Sequence, residues 1–92
     1  MTSRRGAGFD VVVPTRAGKD LQSKDGKIDG HIRIESYKGV GTRIYVDLFV
    51  SAVRDPDEAH ITSETFPWTD EGAKEATKFL QDNGFQVAVA IK

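Results

Sequence analysis

The feature that most constrains the fold is a pair of alternating segments between His31 and Val53, joined by a glycine turn. Isoleucine alternates with polar or aromatic residues in 31–37, and aliphatic residues alternate with Arg, Tyr, Asp and Phe in 42–53. Successive side chains on a strand point to opposite faces of a sheet. The pattern therefore predicts a β-hairpin, with residues 38–41 as its loop and one aliphatic face that other elements must cover.

The opposite face of this hairpin combines arginine and aromatic side chains. Its members are Arg33, Tyr37, Arg43, Tyr45 and Phe49. These residue types are enriched in the hot spots of protein–protein interfaces. They also stack on nucleic-acid bases and contact phosphates. We therefore predict a partner-binding surface here; the alternative is that the N-terminal segment or a second copy of the chain covers it.

The segments around the hairpin predict an α+β fold in the order β-β-β-β-α-β. Besides the hairpin, they comprise an edge strand at 9–14 that ends in proline, a long polar loop at 15–30, a strand at 60–66, a helix and a last strand at 85–92. Two Asp-Gly pairs, at 25–26 and 29–30, predict turns within the loop. We expect a small antiparallel sheet of four to five strands with one helix packed on one face.

The helix is predicted where the hydrophobic period changes from 2 to 3.6, just after Pro67. Thr69 is the expected N-cap, and Asn83-Gly84 the expected end. The apolar stripe comprises Ala73, Ala76, Thr77 and Leu80. One amphipathic helix covers one face of the sheet, so the other face stays open in a monomer.

Length and composition predict one domain over residues 9–92, preceded by a disordered basic arm at 1–8 that contains Arg4 and Arg5. The chain has no cysteine, which excludes disulfides and thiolate metal sites. No apolar run approaches the ~20 residues that cross a bilayer, and the first residues do not resemble a secretory signal. We expect a soluble, cytoplasmic protein that does not bind a membrane.

Charge is distributed unevenly along the chain, although the net charge is only −1. Residues 1–27 hold six Lys or Arg against three Asp, whereas residues 55–92 hold three Lys against eight acidic residues. This asymmetry can orient a partner, or it can simply keep a small domain in solution.

Motifs for catalysis are missing from the sequence. Neither His31 nor His60 has a Ser or Asp at a recognisable spacing, and there is no nucleophile elbow. The glycine triplets at 6–8 and 39–41 precede no helix, so neither predicts a phosphate site. We expect no enzyme and no cofactor; an enzyme of this sequence would depend on His60.

Metal binding is not predicted either. Residues 25–36 resemble an EF-hand loop only in part, because Lys27 and Ser36 stand where oxygen ligands are needed. The acidic stretch with Asp55, Asp57 and His60 matches no metal motif, so we interpret it as a solvated turn.

A three-stranded sheet followed by a helix is similar in outline to the arm-binding domain of tyrosine recombinases, and residues 65–76 resemble its strand-to-helix junction. This resemblance implies a sheet that reads DNA. The order is also similar to that of double-stranded-RNA-binding domains, which begin their helix with lysines. Here Asp70, Glu71 and Gly72 occupy those positions, and the acids would repel a phosphate backbone. The likeness covers about half of the chain, and we assign no family on it.

Two functions follow from these surfaces as hypotheses. The first is a non-catalytic module that binds another protein, or its own copy as a homodimer, through the open sheet face or an edge strand. Such a module would act as a regulator or accessory factor. The alternative is nucleic-acid binding through Arg4 and Arg5 of the arm together with Arg33 and Arg43 of the sheet.

Overall fold

The computed structural model describes residues 9–91 and confirms the α+β fold. Its elements are β1 (Asp10–Val12), β2 (Lys19–Gln22), β3 (Ile28–Tyr37), β4 (Gly41–Val50), α1 (Pro56–Ala59), β5 (His60–Pro67), α2 (Asp70–Asp82) and β6 (Val87–Val89). Strands β2-β3-β4-β5 form an antiparallel sheet in that order, and β1 pairs with β6 in parallel. The predicted arm, with Arg4 and Arg5, lies outside the described residues.

The predicted hairpin is confirmed as β3 and β4, which pair along their whole length. Gly39 and Gly41 in its loop have φ angles of 84° and 89°. Only glycine adopts this left-handed region without steric cost, so the two glycines allow the tight reversal. The hairpin register then places every isoleucine and valine of the aliphatic pattern on one face.

The aliphatic face of the sheet is covered as expected. Its buried residues are Ile32, Ile44, Val46, Leu48 and Phe66. Three residues of the predicted helical stripe, Ala73, Ala76 and Leu80, pack against them, together with Val12, Val87 and Val89 of the β1–β6 pair. Helix α2 and this pair therefore share one side of the four-stranded sheet.

Helix α2 begins and ends close to where the sequence predicts. The Thr69 hydroxyl accepts a hydrogen bond from the Gly72 N–H at 3.0 Å, which is the N-cap contact. After Asn83, the Phe85 N–H returns to the Leu80 carbonyl at 3.0 Å. This return directs the Phe85 ring into the core, where it is 1% exposed.

The structure differs from the predicted loop at 15–30, because β2 lies within it and β3 begins at Ile28. Leu21 is the one apolar residue of β2, so the strand leaves no alternating pattern in the sequence. The turn at Asp25-Gly26 is confirmed, but Asp29-Gly30 lies in β3. A Cβ on Gly30 would come within 3.1 Å of the Phe85 ring, so any other residue there would require this ring to shift by a few tenths of an ångström.

The acidic turn at residues 55–57 is a single helical turn, α1. The Asp55 carboxylate accepts a hydrogen bond from the Asp57 N–H at 3.0 Å, and Pro56 occupies the first position. Proline is well suited to this position because its missing N–H would have no partner there. Neither helix within residues 9–91 is long and apolar enough to span a bilayer.

The last strand is shorter than expected, and both of its sides are occupied. One side pairs with β1. On the other, the Val89 N–H donates to Thr77 Oγ1 at 2.8 Å, and the Val87 carbonyl accepts from Gln81 Nε2 at 3.1 Å. Two side chains of α2 thus take the place of a neighbouring strand, and β6 does not offer a free edge.

Candidate interaction surface

The side of the sheet turned away from α2, which we call the open face, carries all five predicted partner-binding residues. The hairpin register places Arg33 opposite Tyr45, with Tyr37 and Arg43 toward the loop and Phe49 toward the other end. The described elements that pack on the sheet, α2 and the β1–β6 pair, lie against the aliphatic face. The five residues therefore form one continuous strip across β3 and β4.

Arg33 is the centre of this strip. Its Nη1 donates to Asp47 Oδ2 at 2.9 Å, and its Nε donates to Glu35 Oε2. The guanidinium carbon lies 5.1 Å from the centroid of the Tyr45 ring, which is a cation–π contact. The hydrogen bond to Glu35, and then that to Asp47, raises the pKa of Arg33. Two carboxylates thus neutralise this arginine within the face and hold it against an aromatic ring.

Tyr37 extends the cluster into solvent. Its ring meets the Tyr45 ring edge to face, with the two centroids 6.1 Å apart. Tyr37 itself is 51% exposed. The Tyr37 hydroxyl donates to Glu35 Oε1. This bond raises the pKa of Tyr37, and the same bond, with a smaller effect of Arg33, lowers the pKa of Glu35. The hydrogen bond therefore stabilises the protonated phenol of Tyr37 and the ionised carboxylate of Glu35.

We expect the Tyr37 phenol to titrate above its ordinary pKa of 10.0, and the Glu35→Gln change to lower that pKa by removing the acceptor charge. The measurement is the near-ultraviolet absorbance of phenolate. It is made in a Tyr45→Phe background, because Tyr37 is then the one tyrosine left in the chain. Because the pKa of Tyr37 is higher in the folded than in the unfolded state, its protonated form stabilises the fold, and this contribution is fully present at pH values below the unfolded-state pKa. This contribution of Tyr37 is lost as the pH rises through the folded value.

The sign for Glu35 is the opposite, because its pKa is lowered from 4.5. Its contribution to stability is present above the unfolded pKa and is lost as the pH falls through the folded value. Identical Tyr37 titration curves with and without Glu35→Gln would contradict the hydrogen-bonded pair.

A second polar cluster joins β4 to β5 at the other end of the open face. Ser63 Oγ donates to Asp47 Oδ1 and lies 2.7 Å from His60 Nε2. Because the single hydroxyl proton goes to Asp47, the His60 nitrogen must be the donor in its bond to Ser63. A serine nucleophile needs the opposite arrangement, in which histidine accepts the hydroxyl proton. The cluster therefore fixes β5 to β4 and does not activate Ser63.

A β-bulge at Ile61 positions the imidazole of this cluster. The register shifts between Leu48 and Phe49, so that His60 lies opposite Phe49. The two rings meet edge to face, with centroids 5.6 Å apart. Phe49 thereby keeps aromatic contact on one side and borders a groove on the other.

That groove, of about 480 Å³, runs along the β2 side of the open face. Its polar wall includes His31, whose Nδ1 lies 2.9 Å from the Asp20 carboxylate, and Asp29, which accepts from Ser51 Oγ at 2.7 Å. Phe49 supplies the apolar wall. The open face thus continues from the tyrosine cluster into a recess with carboxylates at its rim.

Metal ligation is not supported by the described residues. Within residues 9–91, no group of three or more His, Asp or Glu side chains could hold a metal ion. The Asp25 carboxylate accepts from the Lys27 N–H at 3.0 Å and from Ser23 Oγ at 2.8 Å, and these bonds lower its pKa. Asp25 therefore closes a turn with its own neighbours.

The structure adds four residues that the sequence analysis did not place in the site. They are Glu35, Asp47, His60 and Ser63. The alternation signal could have found Glu35 and Asp47, because they share the face of Arg33 and Tyr45. The same signal could have found Ser63, which pairs with Asp47 in the regular part of β5; only the position of His60 depends on the bulge, which leaves no such signal. No protein-family model, no curated protein and no solved structure matches this chain.

Proposed function

We propose that this chain is a non-catalytic interaction module that binds a protein partner through the open face. The stacked cluster of Arg33, Tyr37 and Tyr45 carries the proposal. Arginine and tyrosine dominate binding hot spots, and side chains already held in one arrangement lose little entropy on binding. A regulator or accessory factor is the role that suits such a module, and the cytoplasm stays its predicted compartment.

The charge on the open face supports a protein partner over nucleic acid. Affinity for a phosphate backbone comes from cations that are free to displace counterions. Arg33 is already bonded to Glu35 and Asp47, and the groove beside it carries Asp20 and Asp29. The nucleic-acid alternative then depends on Arg43 and on the arm residues 4 and 5, and it stays a prediction.

The test uses binders selected against the wild-type protein from a random peptide-display library. We expect Tyr37→Ser and Tyr45→Ser to weaken the selected binders at least tenfold, or about 1.4 kcal/mol, because they remove the centre of the surface. Val40→Ser is the matched control, since Val40 is 61% exposed in the hairpin loop. Calorimetry gives the affinities, and circular dichroism verifies the fold of each variant.

Two results would reject this function. One is a panel of binders that tolerates both tyrosine changes as well as it tolerates the Val40 change. The other is affinity for DNA or RNA at ~50 mM salt that falls steeply as salt is raised, which would favour the nucleic-acid alternative. Sedimentation of the protein alone tests whether the partner is a second copy of the chain. A homodimer formed through the open face would dissociate in the Tyr37→Ser and Tyr45→Ser variants.

A further inference from the structure

Strand β5 forms an open edge of the four-stranded sheet. It is the last strand in the order β2-β3-β4-β5, and its pairing within residues 9–91 is with β4 alone. Residues 60, 61 and 63–65 are exposed and Thr62 is half-buried, so solvent reaches this edge. An edge strand presents unpaired N–H and C=O groups that can pair with another extended chain.

Other strand edges in the described chain offer less. Strand β6 is bonded to α2 side chains on the side away from β1. Strands β2 and β1 have only four and three residues, and residues of both line the same groove. With eight residues, β5 is the longest edge available for main-chain pairing.

The chain around this edge is acidic throughout. Residues 55–73 contain six acidic residues and no Lys or Arg. They are Asp55, Asp57, Glu58, Glu64, Asp70 and Glu71, and all six are exposed. Helix α1 leads into β5, Glu64 lies within it, and α2 begins three residues after its end. Negative charge is therefore present at both ends and at the centre of the edge.

We infer that β5 accepts an extended, basic segment of a partner protein as an added antiparallel or parallel strand. The inference rests on the proposed function and names a second contact with its chemistry. Main-chain hydrogen bonds would supply affinity, and charge complementarity would select the partner. Pairing of two β5 copies would bring like charges together, which disfavours a second copy as the occupant.

The register of β5 predicts where the basic side chains of the added strand fall. Glu64 pairs with Val46 and lies on the α2 side of the sheet, whereas Ser63 and Thr65 pair with open-face residues. Side chains of the added strand alternate in the same way. Lysines at every second position would thus approach Glu64 and the first turn of α2, and the residues between them would extend the open face.

Two irregularities limit the length of pairing. The bulge at Ile61 interrupts the strand at one end, and Pro67 has no N–H to donate at the other. The regular segment between them is residues 62–66. A short peptide is therefore a sufficient probe of this edge.

The experiment uses three synthetic peptides without isotope labels, all based on the sequence Thr-Lys-Val-Lys-Val-Lys-Thr. The first is unmodified, the second has Glu in place of every Lys, and the third is N-methylated at every peptide bond, which removes the N–H donors on both edges of the strand. NMR of the full chain follows the backbone amides of residues 62–66. We expect saturable shifts and slowed hydrogen exchange there with the first peptide, weakened by salt. The other two should bind at least tenfold more weakly.

Charge reversal in the protein completes the test. Glu64→Lys should weaken binding of the Lys peptide and narrow its advantage over the Glu peptide, because it removes the acid at the centre of the edge and leaves the five acids at its ends. The matched control is Glu75→Lys, an equal charge change at an exposed position of α2. Self-association through β5, or binding of the Lys peptide that survives N-methylation, would overturn the inference.

The two proposals can fail separately. If selected binders depend on Tyr45 while the Lys peptide leaves the amides of residues 62–66 unchanged, the open-face function stands and the edge inference is wrong. If the Lys peptide adds to β5 while the tyrosine variants bind the selected binders as tightly as the wild type does, the edge inference stands and the open-face function is wrong.

Discussion

Replacing Gly72 with alanine is expected to destabilise this domain, although the same change in an ordinary helix is stabilising. Alanine exceeds glycine in helix propensity by about 1 kcal/mol. A Cβ at position 72, however, would come within 1.8 Å of the Pro67 carbonyl oxygen, which is backbone and cannot rotate away. We expect a loss of about 1–3 kcal/mol in the free energy of unfolding, the range found for overpacked cores.

Urea unfolding followed by circular dichroism measures this loss. The control is Lys74→Ala, an exposed position on the same helix, which should change stability by less than about 0.5 kcal/mol. The sign alone is decisive, because an increase in stability for Gly72→Ala would show that the junction between β5 and α2 is not as close as described.

Replacing Phe85 with alanine is expected to have the largest effect of any single truncation in the chain. Phe85 is 1% exposed, and its ring contacts Gly30 of β3, so it joins the end of α2 to the sheet. Removing a buried phenylalanine costs about 3–5 kcal/mol. A chain of 92 residues has a total stability of about 5–14 kcal/mol, so this loss is a large fraction of the total and the variant should melt at a much lower temperature.

Phe9→Ala provides the matched control, since Phe9 is 48% exposed. Thermal unfolding should place this variant close to the wild type and the Phe85 variant far below it. Similar melting temperatures for the two variants would mean that Phe85 does not join α2 to the sheet.

Local periodicity was sufficient to predict most of the fold. The aliphatic alternation in β3 and β4 and the helical spacing of Ala73, Ala76 and Leu80 each define a buried face without knowledge of the partner element. Strand β2 was missed because one apolar residue gives no period. The parallel pairing of β1 with β6 was missed because contacts between the two ends of a chain leave no local pattern.

The candidate site shows the same division. Alternation placed Arg33 and Tyr45 on one face, and the structure finds them in contact. It did not show that Arg33 is shared between Glu35 and Asp47, because hydrogen bonding depends on the cross-strand register. That sharing matters for function, since it changes an apparent phosphate-binding arginine into part of an ordered cluster in which two carboxylates outweigh its charge.

The parallel pair of β1 and β6 joins the beginning and the end of the described chain. Asp10 aligns with Val87 and Val12 aligns with Val89, so the polypeptide closes into a ring held by one short pair. Because the two strands are parallel, a connection that ties residue 91 back to residue 9 must return along the strands and reverse direction at both ends, which takes about a dozen residues. A circularly permuted form with new termini in the 38–40 loop is thus compatible with this architecture, whereas deletion of β6 would leave β1 without its only partner strand within residues 9–91.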